Sequence, residues 1–258
     1  MKITLLQRDV VWADPAANIR RNEQVFREND GADLYVFPEM FSTGFCMEPE
    51  GVAEKFPSAT VEWMKEKAVR SGGAVAGSVA VEEDGKYFNR FFLVTPEGKV
   101  MHYDKRHLFT FGGEHRRFTP GRERVVMTYR GLRILPEICY DLRFPVWSRN
   151  RGDYDMIIYV ASWPEQRADA WRQLLRARAI ENRCYVAGVN RCGKDPYNGY
   201  AGGTVLLDPD GKALAECRDG IEGYASAEID LSALEEARRR FPVLDDADDF
   251  TLECRERR

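Results

Sequence analysis

Short apolar runs separated by turn residues recur along the chain. Between several of them lie longer stretches in which apolar residues return every three or four positions. Runs at 3–7, 34–37, 74–81, 87–95, 99–103, 132–138, 155–161, 184–190, 204–207, 213–216 and 224–229 read as strands. Helical spacing appears at 15–28, behind Asp14-Pro15, with Ile19, Val25 and Phe26 on the buried side. It returns at 59–70, with Val61, Met64 and Ala68 inward, at 166–182, and in a last helix for which Ser232 is the expected cap. Glu83-Asp84-Gly85 and Pro96-Glu97-Gly98 mark hairpin turns. Mixed strands alternating with helices predict an α/β fold.

Two segments look alike: Leu93-Val-Thr-Pro-Glu-Gly-Lys99 and Leu206-Leu-Asp-Pro-Asp-Gly-Lys212. Both read as strand–turn–strand, which suggests two similar α/β halves facing each other; shared turn chemistry is the alternative. The tail 241–258 has an acidic middle between apolar ends. It reads either as a solvated terminus or as an arm laid across a partner subunit, and Phe241, Leu244 and Phe250 favour the arm.

Composition narrows the class. The chain has 258 residues, 44% of them hydrophobic, and lacks a Pro/Gly/Ser linker or a low-complexity tract, so one domain over 1–258 is expected. A net charge of −4 with dispersed basic residues gives no footprint for nucleic acid. No apolar stretch approaches the roughly 20 residues of a membrane span. The N-terminus is already strand-like rather than a signal peptide, so a cytoplasmic location is expected. None of the six cysteines has metal-ligand spacing, and all three histidines fall between 102 and 115, so no metal site is expected.

Candidate chemistry sits at predicted strand ends. Cys139 ends the run 132–138, and Tyr140-Asp-Leu-Arg-Phe-Pro145 breaks the strand directly after it. A thiol entering a turn and then a helix faces backbone N–H groups, a setting that favours thiolate. Glu39 follows the run 34–37 and Pro38, where partial desolvation suits a carboxylate to general-base work; a turn or capping glutamate is the alternative. Lys105 lies just past the run 99–103, placed to lower a thiol pKa or to bind an oxyanion if it is near Cys139, and otherwise a solvated basic residue.

Phe37-Pro-Glu39, Tyr103-Asp-Lys105-Arg and Ile138-Cys139-Tyr-Asp-Leu-Arg-Phe-Pro145, in that order, resemble the nitrilase (carbon–nitrogen hydrolase) superfamily. The resemblance runs from Met1 to about Ala227. Lys105-Arg-His-Leu-Phe109, Gly113-Glu-His115, Phe144-Pro-Val-Trp-Ser-Arg-Asn150, Tyr159-Val-Ala-Ser-Trp-Pro164 and Ala177-Arg-Ala-Ile-Glu-Asn182 are similar to its omega-amidase branch.

The resemblance implies a four-layer α-β-β-α sandwich with the site at the strand ends, and a homodimer or higher homo-oligomer. It implies amide hydrolysis through a cysteine thioester, without cofactor: Cys139 as nucleophile, Glu39 as base, and Lys105 with the Tyr140 backbone N–H as oxyanion donors. Glu114 would orient the lysine, or else pair with Arg116 or Arg117. The substrates implied are small dicarboxylate monoamides, 2-oxoglutaramate and 2-oxosuccinamate. The distal carboxylate of such a ligand needs a cation, and Arg116, Arg117, Arg143 and Arg167 are the candidates. For Arg143 an ion pair with Asp141 or Asp33 is the favoured role. Phe111, Trp163 and Tyr197 are candidate pocket walls. Glu137, two residues before the nucleophile, should point to the opposite face of its strand. Hydrolysis of N-carbamoyl amino acids or aliphatic amides is the alternative activity.

Overall fold

The computed structural model describes residues 1–253. Two mixed sheets face each other. In the first, the strand order is Gly223–Glu228, Lys2–Gln7, Leu34–Val36, Ala74–Glu83, Lys86–Val94 and Val100–Asp104, with the short Glu54–Lys55 also pairing with Ala74–Glu83. In the second it is Met127–Tyr129, Leu132–Ile138, Met156–Ala161, Tyr185–Asn190, Val205–Leu207 and Ala213–Glu216.

Read in these directions the two orders match. Each sheet has an antiparallel edge strand, three parallel strands, then two antiparallel ones. The two similar turns occupy equivalent places and close alike. Thr95 N–H donates to Lys99 O and Asp208 N–H to Lys212 O, each at 2.9 Å, while Gly98 and Gly211 N–H return to Thr95 O and Asp208 O. The duplication suggested by the sequence is therefore visible in strand order and in turn geometry.

Alternation assigns the faces. Ile3, Leu5, Leu34, Val36, Phe91 and Leu93 of the first sheet meet Ile134, Ile138, Ile158, Val160 and Val189 of the second in one core between the sheets. The opposite residues of the first sheet, Tyr35, Phe37 and Val75, pack on the helix Ala59–Ser71 through Val61, Met64 and Ala68. Leu135, Ile157, Tyr159 and Val186 of the second pack on Ala168–Asn182 through Trp171, Leu175 and Ala179. The result is the α-β-β-α layering expected above.

The strands Glu54–Lys55 and Met127–Tyr129 were not expected, and three helices differ from expectation. The helix expected at 15–28 is two pieces, Pro15–Asn22 and Val25–Glu28. At the break, the Glu23 carboxylate accepts from Trp63 Nε1 at 2.6 Å and Lys67 Nζ at 2.7 Å, contacts the helical pattern does not encode. The helix expected from 166 starts at Ala168 behind a 3₁₀ turn, Glu165–Arg167. The last helix, Leu231–Arg240, is capped by Asp230, whose carboxylate accepts the Ser232 N–H at 2.8 Å; Ser232 lies inside the first turn. As far as Glu253 the tail contacts its own chain: Arg183 lies over Phe241, Arg151 over Phe250, and Leu252 packs on the inter-sheet core. Residues 254–258, the end of the expected arm, lie outside the described residues.

Candidate active site

The strand ends of both sheets converge on one cluster. Pro38 stops the pattern of Leu34–Val36 and Glu39 follows, fully buried. Lys105 follows Val100–Asp104 and is also fully buried, as is Glu114 in the short turn Glu114–Arg116. Lys105 Nζ lies 2.8 Å from Glu39 Oε1 and 3.0 Å from each oxygen of Glu114. The pairing of Glu114 with Arg116 or Arg117 considered above does not form: Arg116 and Arg117 are exposed, and Arg117 binds Glu50 at 2.6 Å.

Two further donors reach Glu39, and the Phe109 backbone N–H donates to Glu114 Oε2 at 2.5 Å. Asn89 Nδ2 donates to Glu39 Oε1 at 2.7 Å and to Glu114 Oε1 at 3.2 Å. The Ser162 backbone N–H, just past Met156–Ala161, donates to Glu39 Oε2 at 2.8 Å. Neither was expected from the sequence. A polar Asn inside the strand Lys86–Val94 was the available signal, since Asn is depleted in strands. Ser162 acts through its backbone and left no mark in residue type.

Electrostatics follow from burial. Desolvation opposes the Lys105 charge, but Glu114 and Glu39 outweigh it and hold the ammonium above its ordinary pKa. Burial, with Glu39 adding, raises the Glu114 carboxyl while Lys105 opposes.

Cys139 begins the 3₁₀ turn Cys139–Arg143 directly after Leu132–Ile138, with φ +49°. This left-handed conformation is uncommon for a residue with a Cβ and breaks the strand at the thiol. The surroundings of the thiol oppose the thiolate expected from the sequence. Burial and the Glu39 charge push the thiol well above its ordinary range, and Lys105 only partly offsets them.

Asp141 ties this turn to the lysine segment. Its Oδ2 accepts from Tyr103 OH at 2.9 Å and Ile138 N–H at 3.0 Å, and its Oδ1 accepts from His107 N–H at 2.8 Å, with His107 Nδ1 also at 2.8 Å. Glu137 does face the other way. It pairs across strands with Tyr159 on the helix-covered face, where burial, with Asp141 adding, holds its carboxyl well above the carboxylate range.

Cys139 opens into a cavity of about 430 Å³, whose wall includes Tyr140, Ser162 and the expected Phe111, Trp163 and Tyr197. Trp12, Phe45, Phe109 and Tyr200 complete the aromatic lining and were not anticipated. Of the four candidate arginines, Arg143 and Arg167 line the cavity and Arg116 and Arg117 do not. The favoured ion pair of Arg143 is absent: Asp141 is occupied as described, and Asp33 pairs with Arg130. Instead the Arg143 guanidinium lies 4.9 Å over the Trp163 ring, and that of Arg167 lies 5.5 Å over Phe109. No acidic partner for either is found among the described residues. No histidine lines the cavity, and no group of three or more metal-ligating residues is found among the described residues.

A family model described as carbon-nitrogen hydrolase matches residues 2–239. An omega-amidase, YafV, of Yersinia enterocolitica is 46% identical, with 98% of each chain covered. A 2-oxoglutaramate amidase of Bacillus subtilis is 37% identical over 95% of this chain and 96% of its own. Among solved structures, a CN-hydrolase superfamily protein of Xanthomonas campestris with an arsenic adduct in its active site is 43% identical. It superposes with a TM-score of 0.95 over 98% of this chain and 99% of its own.

Proposed function

Because the chain belongs to the carbon–nitrogen hydrolase family, we propose that it is an omega-amidase. It releases ammonia from small dicarboxylate monoamides, 2-oxoglutaramate and 2-oxosuccinamate, through a thioester on Cys139. The observation that carries the substrate class is the pair of arginines, Arg143 and Arg167, which share a cavity with Cys139 and have no acidic partner among the described residues. Each is propped on an aromatic ring and offers a planar fork to a carboxylate.

The hydrogen bonds at Glu39 support a proton path. Glu39 Oε1 already accepts from Lys105 and Asn89, whereas Oε2 accepts only the Ser162 N–H. Oε2 therefore keeps a lone pair for the Cys139 proton. The sulfur attacks the amide carbon as that proton moves to Glu39, and negative charge develops on the carbonyl oxygen. Lys105 and the Tyr140 backbone N–H stabilise it. The tetrahedral adduct collapses to the thioester, its C–N bond breaks, and Glu39 returns the proton to the departing ammonia. Water then attacks the thioester and yields its proton to Glu39. The C–S bond breaks, the acid leaves, and the thiol is restored. A raised thiol pKa fits this order, because the proton is removed only as the C–S bond forms.

The reading includes a cytoplasmic location and self-association. No helix among the described residues is long and apolar enough to cross a membrane. Exposed Val146, on the short helix Pro145–Ser148, and Ile180, on Ala168–Asn182, are apolar surface that self-association would cover. Ammonia release from 2-oxoglutaramate, N-carbamoyl-β-alanine and propionamide tests the substrate reading. A kcat/KM for 2-oxoglutaramate no higher than for the other two would overturn it.

A further inference from the structure

Lys105 has three N–H bonds, and three carboxylate oxygens take them: Glu39 Oε1 at 2.8 Å and both oxygens of Glu114 at 3.0 Å. An ammonium so engaged cannot also bind an oxyanion unless it lets one contact go. Letting go leaves a buried carboxylate oxygen short of a donor, which is costly in a site of low dielectric. Asn89 bears on this conflict. Its Nδ2 donates to Glu39 Oε1 and Glu114 Oε1, two of the oxygens that Lys105 contacts.

We propose that Asn89 is a positioning residue that keeps Glu39 and Glu114 seated while Lys105 turns an N–H toward the oxyanion. As Glu39 takes the thiol proton it becomes neutral and its attraction for the ammonium falls, so the contact with Glu39 is the one released. Asn89 then holds Glu39 in place for the return of the proton to ammonia.

Residue type fits the task. The set already holds two carboxylates against one ammonium, so a neutral donor adds hydrogen bonds without adding charge. The amide orientation is also fixed, because a flip would turn Oδ1 toward both carboxylates. Oδ1 has no partner among the described residues, so this amide is oriented through its NH₂ alone. The Asn89 carbonyl further accepts the Lys105 backbone N–H at 3.0 Å, which joins clamp and lysine on adjacent strands.

The inference rests on the amide-hydrolase reading, which wild-type turnover and its loss in Cys139→Ala test separately in the same assay. Asn89→Leu matches the side chain in size and removes both donors; Asn89→Ala serves if the leucine protein does not fold. In a protein with wild-type circular dichroism, kcat should fall roughly 10- to 100-fold with KM within about threefold, the signature of support lost in the transition state. The second readout is the rate of Cys139 alkylation by iodoacetamide. A misplaced base slows alkylation, whereas general loosening of the site exposes the thiol and speeds it. A kcat within about twofold of wild type, a rise in KM alone, faster alkylation, or failure of both variants to fold would each overturn the proposal.

Discussion

Glu39→Gln separates the chemistry of the site from its hydrogen bonding, because glutamine matches the shape of glutamate but brings an NH₂ group. Every partner of Glu39 is a donor: Lys105 Nζ and Asn89 Nδ2 at Oε1, and the Ser162 N–H at Oε2. Wherever the new NH₂ sits, it meets a donor. It will take the Oε2 side, where it opposes one N–H instead of two. One buried N–H then loses its acceptor, at a cost of about 1–3 kcal/mol. Lys105 keeps Glu114 and is not left as an unpaired charge, so the cost should stay below the 3–5 kcal/mol of a broken buried pair. For a chain of this size that is a fall in Tm of roughly 2–4 °C per kcal/mol. Catalysis suffers more. The atom expected to take the thiol proton becomes an NH₂ group, and a lost general base costs on the order of 10²–10⁴ in rate. The assay pairs ammonia release with a thermal melt. Retention of more than about a tenth of wild-type kcat, a barrier change under roughly 1.4 kcal/mol, would refute Glu39 as the base. An unchanged Tm would refute the hydrogen-bond accounting.

Three further outcomes are expected. Cys139→Ala and Cys139→Ser should fold and release no ammonia, since a hydroxyl is far harder to ionise than a thiol; iodoacetamide should silence the wild type and EDTA should not, and turnover by a folded alanine variant would refute the thioester route. Arg143→Met and Arg167→Met should each lower kcat/KM on 2-oxoglutaramate by roughly 10- to 100-fold, from about 1.5–3 kcal/mol per charge-assisted hydrogen bond, and leave a neutral amide nearly untouched. Arg117→Met, whose side chain is engaged with Glu50, is the control; equal losses on charged and neutral amides would refute carboxylate recognition.

The sequence made part of the site legible and hid the rest for physical reasons. Glu39, Lys105 and Cys139 could be read because each follows an apolar run, and a polar side chain at the end of a buried strand is conspicuous. Asn89 and Ser162 were missed, one lying within a strand pattern and the other contributing only a backbone N–H. The favoured role of Arg143 was wrong because chain proximity to Asp141 is not spatial pairing. Asp141 turns to Tyr103, His107 and the Ile138 N–H, and leaves the guanidinium to the cavity. The turn suggested an anion-friendly setting for the thiol, whereas desolvation and the charge of Glu39, from a distant segment, oppose it. Among the secondary elements, periodicity placed the longer strands and passed over short ones such as Glu54–Lys55 and Met127–Tyr129. It failed at the break between Pro15–Asn22 and Val25–Glu28, beside the Glu23 contacts with Trp63 and Lys67.

The cluster straddles the seam between the sheets. Glu39, Asn89 and Lys105 hang from one sheet and Cys139 and Ser162 from the other, and the contact of Glu39 with the Ser162 N–H crosses between them at 2.8 Å. The apolar side chains packed between the sheets, Ile138, Ile158 and Val160 among them, therefore act as shims beneath a two-sided tool. A methylene shaved from or added to one of them should alter the gap that the proposed proton transfer spans, even where the substitution lies remote from substrate. Neither half of the duplicated fold owns the tool: each holds only part of it.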